Sequence, residues 1–554
     1  MTIRFRNWRP AALAVALAAS LTAFPQQPAP AALSSDERRA ADAVRVETVR
    51  EVTERLVDRE MEGRGTAQRG ALRSARYIAE QYKRMGLKPG GDQGTYLQKI
   101  DFRVEQVLPA STVRVGEREF RFKTDFVPTP PMPARNVALQ AEVVCAGFGV
   151  VAPELQRDDL AGLDVKGKIV VLLGGRPANV APSVWLKHAG RAAVLTRLQE
   201  RGAVAVLATQ LPGANQTFSQ MAMYLSRRRV SLVERIPYVS NPPLSVTIPT
   251  LLVNDAVVES LFAGGDATFE QLRKRAEAGE TVSRSLDKRA ALSLSVRNEE
   301  LPCHNVIGVL PGSDPALRAE AVVYTAHYDA YGIDTDGTIY PGAGDNAIGI
   351  GKMAAIAESL ARTGTRRTVL FAALTGEEYG MLGAEHWVQH PTWPLDKVAA
   401  NINFDGIGSE AWGPLGYLVG VGLSHSDLDA VYRDVAAAHK VAVIPDPAPE
   451  EGFFYRSDHY AFFKRGIPGL YLIGMKGGNP FELMKTVNQW MAADYHQVTD
   501  TIRPDWNWEG ARTLSAIGLV IGHRIANRDA MPAWVPASPF NRPRGTTLPP
   551  PPRR

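Results

Sequence analysis

The chain has 554 residues, of which 45% are apolar and 22% charged. This excludes wholesale disorder, a collagen repeat and a disulfide-stapled miniprotein, and leaves room for two or three domains. Arg4, Arg6 and Arg9 near one end, and Arg542, Arg544, Arg553 and Arg554 near the other, have no acid among them and together exceed the net charge of +5. The middle is therefore slightly acidic, and the high pI does not argue for a nucleic-acid-binding surface.

The first 33 residues read as an export signal: three arginines, an apolar stretch from about 11 to 24, then small residues such as Ala29-Pro30-Ala31. The stretch is short for a bilayer span, although an uncleaved anchor is the alternative reading. The expectation is a periplasmic or extracellular protein without stable membrane insertion after cleavage. Only two cysteines occur, Cys145 and Cys303; a bridge and two small buried apolar residues are both compatible with export.

Residues 37–62 carry an apolar helical period through Val46, Val49, Val52, Leu56 and Val57. A second amphipathic helix is predicted at 69–85, stopping near Gly86. Alternation from 106 to 125 predicts paired strands turning at Gly116-Glu117. Residues 137–253 form a block of their own, with apolar strands around a helix at 189–201, and a charged helical segment follows at 267–280. From 305 onward, NVIGVLPG, AVVYTA, RTVLFAAL, VAANINF and GLYLIG alternate with helices near 346–363, 380–390, 425–440, 457–465 and 509–527. That alternation predicts an α/β fold with a mostly parallel mixed sheet covered on both faces. The tail 531–554, rich in Pro and Arg, is expected to be disordered.

In such sheets, sites form beyond the carboxyl ends of strands. There the chain places His327-Tyr328-Asp329, Gly344-Asp345-Asn346, Thr375-Gly376-Glu377-Glu378, Asp405-Gly406 and, later, Tyr495-His496. A lone His-x-Asp or Glu-Glu pair more often marks a solvated strand end. Several imidazoles and carboxylates recurring at one edge suit zinc or another borderline divalent ion.

In HYDA, GAGDNAIG, LTGEEYGMLGAEHW and NFDGIG, together with MEGRGTAQRGALRSARYIAEQYKRMGLKPGG, the chain resembles the M28 zinc peptidases, over about residues 40–505. The 137–253 block resembles a protease-associated (PA) domain. The resemblance implies a zinc exopeptidase fold with a peptidase domain in two segments, 36–105 and 298–530, and an insert at 106–297. It implies two Zn2+ ions: Asp345 bridging both, His327 and Asp405 completing one site, Glu378 and His496 the other. Glu377 matches the general base acting on a metal-bound water, and Asp329 the carboxylate that orients His327. Asp500 is expected to stand in a similar relation to His496. Tyr495 resembles the residue that hydrogen-bonds the developing oxyanion. Asp345-Asn346 falls where the family tends to have a cis peptide.

His459, in Tyr455-Arg456-Ser457-Asp458-His459, ranks below His496 as a ligand, because Ser457 or Asp458 reads as the cap of a helix there. His386 is expected to be a packing residue, and His188, His304, His390, His425, His439 and His523 structural ones. The resulting expectation is a secreted aminopeptidase acting on peptides or proteins with a free N-terminus. Carboxypeptidase or glutaminyl-cyclase-type activity on the same scaffold is the alternative. Carboxypeptidase action would need a cation for the substrate carboxylate, and Arg456 is the one candidate by motif; the cyclase needs one metal rather than two. A non-catalytic binding protein is the reading from another class, and the complete ligand set argues against it. A serine hydrolase lacks its G-x-S-x-G elbow.

Overall fold

The computed structural model describes residues 32–546, apart from 131, 134, 213–215, 237–245 and 407. The predicted leader, but for its last two residues, and the end of the tail lie outside these residues. Among the described residues, no helix is long and apolar enough to cross a membrane. The chain divides into two units. The smaller takes the described residues of Arg103–Arg229 and Asn241–Glu300. The larger takes those of Arg9–Phe102, Val230–Ser240 and Leu301–Arg554. Residues 230–236, expected inside the insert, thus group with the larger unit.

The larger unit is built on a mixed sheet whose centre is parallel. Thr368–Leu374, Ala321–His327, Val398–Phe404 and Gly469–Lys476 lie side by side in that order, each pair parallel. Val296–Leu310 joins one flank and Leu415–Val421 the other, both antiparallel to their neighbours. The first three central strands are buried along their whole length. This is why they read as continuous apolar runs rather than as an alternation.

Each face of this sheet has its own packing. Tyr324 stacks on Phe371 at 5.3 Å and on Phe404 at 6.4 Å. Its hydroxyl donates to Gly518 O in the long helix Glu509–Asn527, which covers this face. The other face presents Val323, Leu370 and Ala372 to Trp387 and Phe462, whose rings stack at 5.2 Å. These two aromatic residues lie on the helices Leu382–Gln389 and His459–Phe463.

The N-terminal helical text forms two helices, Ser35–Asp42 and Val46–Val57, and then a tight turn. The turn carries Glu62, Gly63 and Arg64 through positive φ of 50°, 63° and 54°. It drives the Arg64 guanidinium fully into the interior, where it donates to the carbonyls of Leu56, Tyr328, Pro341 and Gly342 at 2.6–2.8 Å. Burial lowers its pKa to about 10, opposed chiefly by the charge of Asp500. The helix Arg69–Arg84 then ends just before Gly86, whose φ of +81° only glycine adopts without strain.

The smaller unit has its own mixed sheet, with Val137–Cys145, Ile169–Leu172, Ala205–Thr209 and Thr250–Val253 parallel in that order. The predicted hairpin is present as Thr112–Val115 paired antiparallel with Arg118–Arg121. Arg284–Leu294, whose charged outer face hides it in the sequence, is a long strand between that hairpin and Val137–Cys145. Cys145 lies in this unit's core; both it and Cys303 are free and buried.

The expected disorder of 531–554 is corrected for 531–546. Phe540 is buried against His425, Phe454 and Phe463. The Trp534 indole donates to Gly466 O, and Arg544 donates to the carbonyls of Val398, Ala399 and Pro532. Three anchoring side chains hold a segment that looks featureless in composition.

Candidate metal centre

Parallel pairing sets the carboxyl ends of neighbouring strands side by side. His327 ends its strand opposite Leu374, and Glu377 and Glu378 follow within four residues. Asp405 follows directly after Val398–Phe404. Asp345 comes from the segment Ala343–Ala347, which opens the helix Ile348–Thr363. Gly342, with φ +59°, turns the chain into that segment; a Cβ there would lie 2.9 Å from Arg64 Nη2 and 2.5 Å from Asp345 O. The Asp345–Asn346 peptide is cis. His496 arrives from the loop after the helix Pro480–Ala493.

These side chains converge as two trios sharing one carboxylate. His327 Nε2 lies 3.2 Å from Asp345 Oδ1 and 3.3 Å from Asp405 Oδ1. His496 Nε2 lies 3.1 Å from Asp345 Oδ2 and 3.1 Å from Glu378 Oε2. The two oxygens of Asp345 therefore face different imidazoles. Each trio brings its ligand atoms within 4.8 Å of one another, close enough to hold one ion each.

The electrostatics point the same way. Burial lifts the pKa of Glu377 well above the ordinary carboxylate range; His327 opposes this and Asp405, Asp458 and Glu378 add to it. Burial also raises Glu378, with His496 opposing and Asp345 adding. For Asp345, the burial cost is outweighed by hydrogen bonds from His327 and His496, which hold it below its usual range. Burial opposes the imidazolium forms as well. Asp405 and Glu377 nonetheless hold His327 well above its ordinary value, and Glu378 and Asp345 hold His496 at about 9. Two imidazoles and three carboxylates in this arrangement fit a pair of borderline divalent ions, whose binding would release those protons.

The supporting contacts are specific. Asp329 accepts from Thr66 Oγ1 at 2.9 Å and from the Glu377 backbone N–H at 3.2 Å, and its carboxylate lies 3.7 Å from His327 Nδ1. The hydrogen-bond partner of His327 Nδ1 is the Asp329 backbone carbonyl at 3.2 Å, so this residue ties His327 to the loop of Glu377 through both its backbone and its carboxylate. Asp500 plays a different part from the one expected. Its carboxylate accepts from the N–H groups of Gly344 and Asp345 at 2.8 and 3.1 Å, holding the backbone of the shared ligand. Burial raises its pKa to about 7. The group against His496 Nδ1 is the Tyr331 hydroxyl, at 3.2 Å. Tyr331 stands in the loop between His327 and Asp345, and no sequence signal marks its hydroxyl. Tyr495 stacks on His496 with ring centroids 3.6 Å apart. Its ring is half-buried, and desolvation with the charges of Asp345 and Glu378 raises the phenol's pKa well above its ordinary value.

His459 does not join either trio. It is buried, stacked on Tyr471 at 4.6 Å and flanked by Phe454 and Phe463. Burial drives its pKa down to about 3. Of the two expected caps, Asp458 takes the N-cap position of the helix, without a side-chain capping bond, and Ser457 has another role. Its hydroxyl donates to Asp405 Oδ2 and accepts from Asn403 Nδ2, fixing the far oxygen of that carboxylate. A small cavity beside the second trio is lined by Tyr331, Tyr340 and Gln497.

Residues 305–520 match the model of Peptidase family M28. A probable leucine aminopeptidase 2 of Aspergillus oryzae is 28% identical over 208 residues, which cover 36% of this chain and 38% of the relative. Aminopeptidase YwaD of Bacillus subtilis is 28% identical over 228 residues, 41% of this chain and 45% of the relative. The chain thus spans under half the length of these curated relatives. Among solved structures, an aminopeptidase from Aneurinibacillus sp. strain AM-1 aligns with a TM-score of 0.56 at 18% identity, over 89% of this chain and 97% of that one. BSAP, a zinc aminopeptidase from Bacillus subtilis, aligns with a TM-score of 0.54 at 18% identity, over 88% and 96%. At that identity the likeness shows the fold.

Proposed function

We propose that the protein is an exported dinuclear zinc aminopeptidase that removes residues from the free N-termini of peptides. The observation that carries this reading is the pair of ligand trios meeting on Asp345, with Glu377 beside them at 3.9 Å from His327 Nε2. In this reading His327, Asp405 and Asp345 hold one ion, and Asp345, Glu378 and His496 the other. Two such ions would polarise the scissile carbonyl and make a water acidic enough to attack near neutral pH.

The remaining chemistry falls to the chain's own groups. Glu377, its basicity raised by burial and neighbouring carboxylates, takes the proton of the attacking water and delivers it to the leaving amine. Asp329 holds the Glu377 backbone N–H with its carboxylate and the His327 ring with its main-chain carbonyl. Tyr495, a donor across the working pH range, hydrogen-bonds the developing oxyanion. The smaller unit, with its parallel strands and separate core, is read as a PA-type insert.

The test is a digest of a peptide pool, half with free and half with acetylated N-termini, with and without a zinc chelator, read by mass spectrometry. Chelator-sensitive loss of single residues from free N-termini alone is expected. Trimming from C-termini, or no cleavage by zinc-loaded protein, would overturn the proposal.

A further inference from the structure

Apart from the two trios, the larger unit gathers a third group of metal-type side chains. Glu234, His386 and His390 each offer a ligand atom, and these atoms lie within 4.8 Å of one another. His386 and His390 stand one helical turn apart at the end of Leu382–Gln389, with ring centroids 4.7 Å apart. That spacing puts both imidazoles on one helix face. The helix turns Trp387 and Val388 into the core, so the histidine pair is not needed for packing there. Glu234 arrives from elsewhere in the chain, two residues beyond the edge strand Arg229–Leu232. Its Oε2 lies 2.7 Å from His390 Nε2.

An ion pair between Glu234 and His390 does not account for the whole arrangement. His386 is drawn into the same group, and its Nδ1 is buried without a hydrogen-bond partner. Burial, together with the charge of His390, keeps the His386 imidazole below its ordinary pKa, in the neutral form that ligates. Two imidazoles at i and i+4 plus one carboxylate form a three-ligand set well suited to zinc, with a fourth position open to water.

We infer that Glu234, His386 and His390 form a third divalent-cation site, for an ion of zinc's class, sharing no residue with the two trios. Its role is to clip the edge strand Arg229–Leu232 to the end of helix Leu382–Gln389. The two elements are more than 150 residues apart in sequence. The adjacent strand Leu97–Val107 already holds this helix end through the bond from Gln98 Nε2 to His390 O at 2.7 Å. An ion here would reinforce the exposed Glu234–His390 ion pair with a coordinate cross-link.

The experiment is zinc titration of the metal-free, full-length protein by calorimetry, with the unfolding temperature followed at each equivalent. The wild-type chain should bind one more ion per chain than His390→Ala or His386→Ala. The zinc-dependent rise in unfolding temperature assigned to that extra event should vanish in both variants. Peptidase activity at saturating zinc should stay unchanged in them. Equal stoichiometry in wild type and both variants would overturn the inference. So would survival of the extra event in Glu234→Ala at undiminished affinity. Failure of the aminopeptidase reading would instead show in the peptide digest, which these variants leave untouched.

Discussion

Replacing His459 with phenylalanine separates two readings of this residue by a stability measurement. The imidazole is fully buried between Tyr471, Phe454 and Phe463 and is held neutral, with a pKa of about 3 against an ordinary 6.5. A histidine whose folded pKa is depressed stabilises the protein above its unfolded pKa and loses that contribution as pH falls toward the folded one. At pH 5 the unfolded imidazole is about 1.5 units below its pKa and largely charged, while the folded one remains neutral. At 1.36 kcal/mol per unit, lowering the pH from 7 to 5 costs the wild type about 2 kcal/mol through this residue alone. Phenylalanine keeps the ring in its apolar setting and removes the titration. Acid protonates the metal-centre groups in both proteins, so their difference isolates His459. Urea unfolding of both proteins from pH 7.5 to 5 should show the variant losing ~2 kcal/mol less. Metal content should be unchanged. Parallel pH profiles, or loss of a metal equivalent, would refute the assignment of His459 as a neutral packing residue; His459→Leu provides the same comparison without an aromatic ring.

Other outcomes follow from the metal centre. Asp345→Ala should lower metal content by two ions in a single step, since its two oxygens face both imidazoles; retention of either ion at native affinity would exclude the shared role. Glu377→Gln should keep its metal and lose about 10²- to 10⁴-fold in kcat; near-native turnover would remove it as the base. Tyr331→Phe, by deleting the hydroxyl at His496 Nδ1, should weaken binding of one ion by about 10- to 100-fold in a chelator competition. Unaltered affinity would make that hydroxyl incidental.

Much of the peptidase unit is legible in the chain because its strands are buried on both faces. AVVYTA, RTVLFAAL and VAANINF leave no doubt about their state, and the polar text that follows each one marks a single sheet edge. The helices 346–363 and 509–527 follow from the same periodicity. Arg284–Leu294 was illegible because only its inward residues are apolar, and the helix Pro480–Ala493 lies between motifs without a strong stripe.

Which residues carry ligand-type side chains, and in what order, was therefore determined by sequence alone. Tertiary structure decided which oxygen of Asp345 faces which imidazole, and that Asp500 supports the Asp345 backbone while Tyr331 meets His496. It also decided that Ser457 braces Asp405 and that Trp534, Phe540 and Arg544 anchor a tail of disordered composition. The reason is physical. Periodicity and residue type report on a segment's own surroundings, averaged over turns of helix or pleats of strand. A hydrogen bond between groups 50 to 260 residues apart depends on how whole elements pack, which no local pattern encodes.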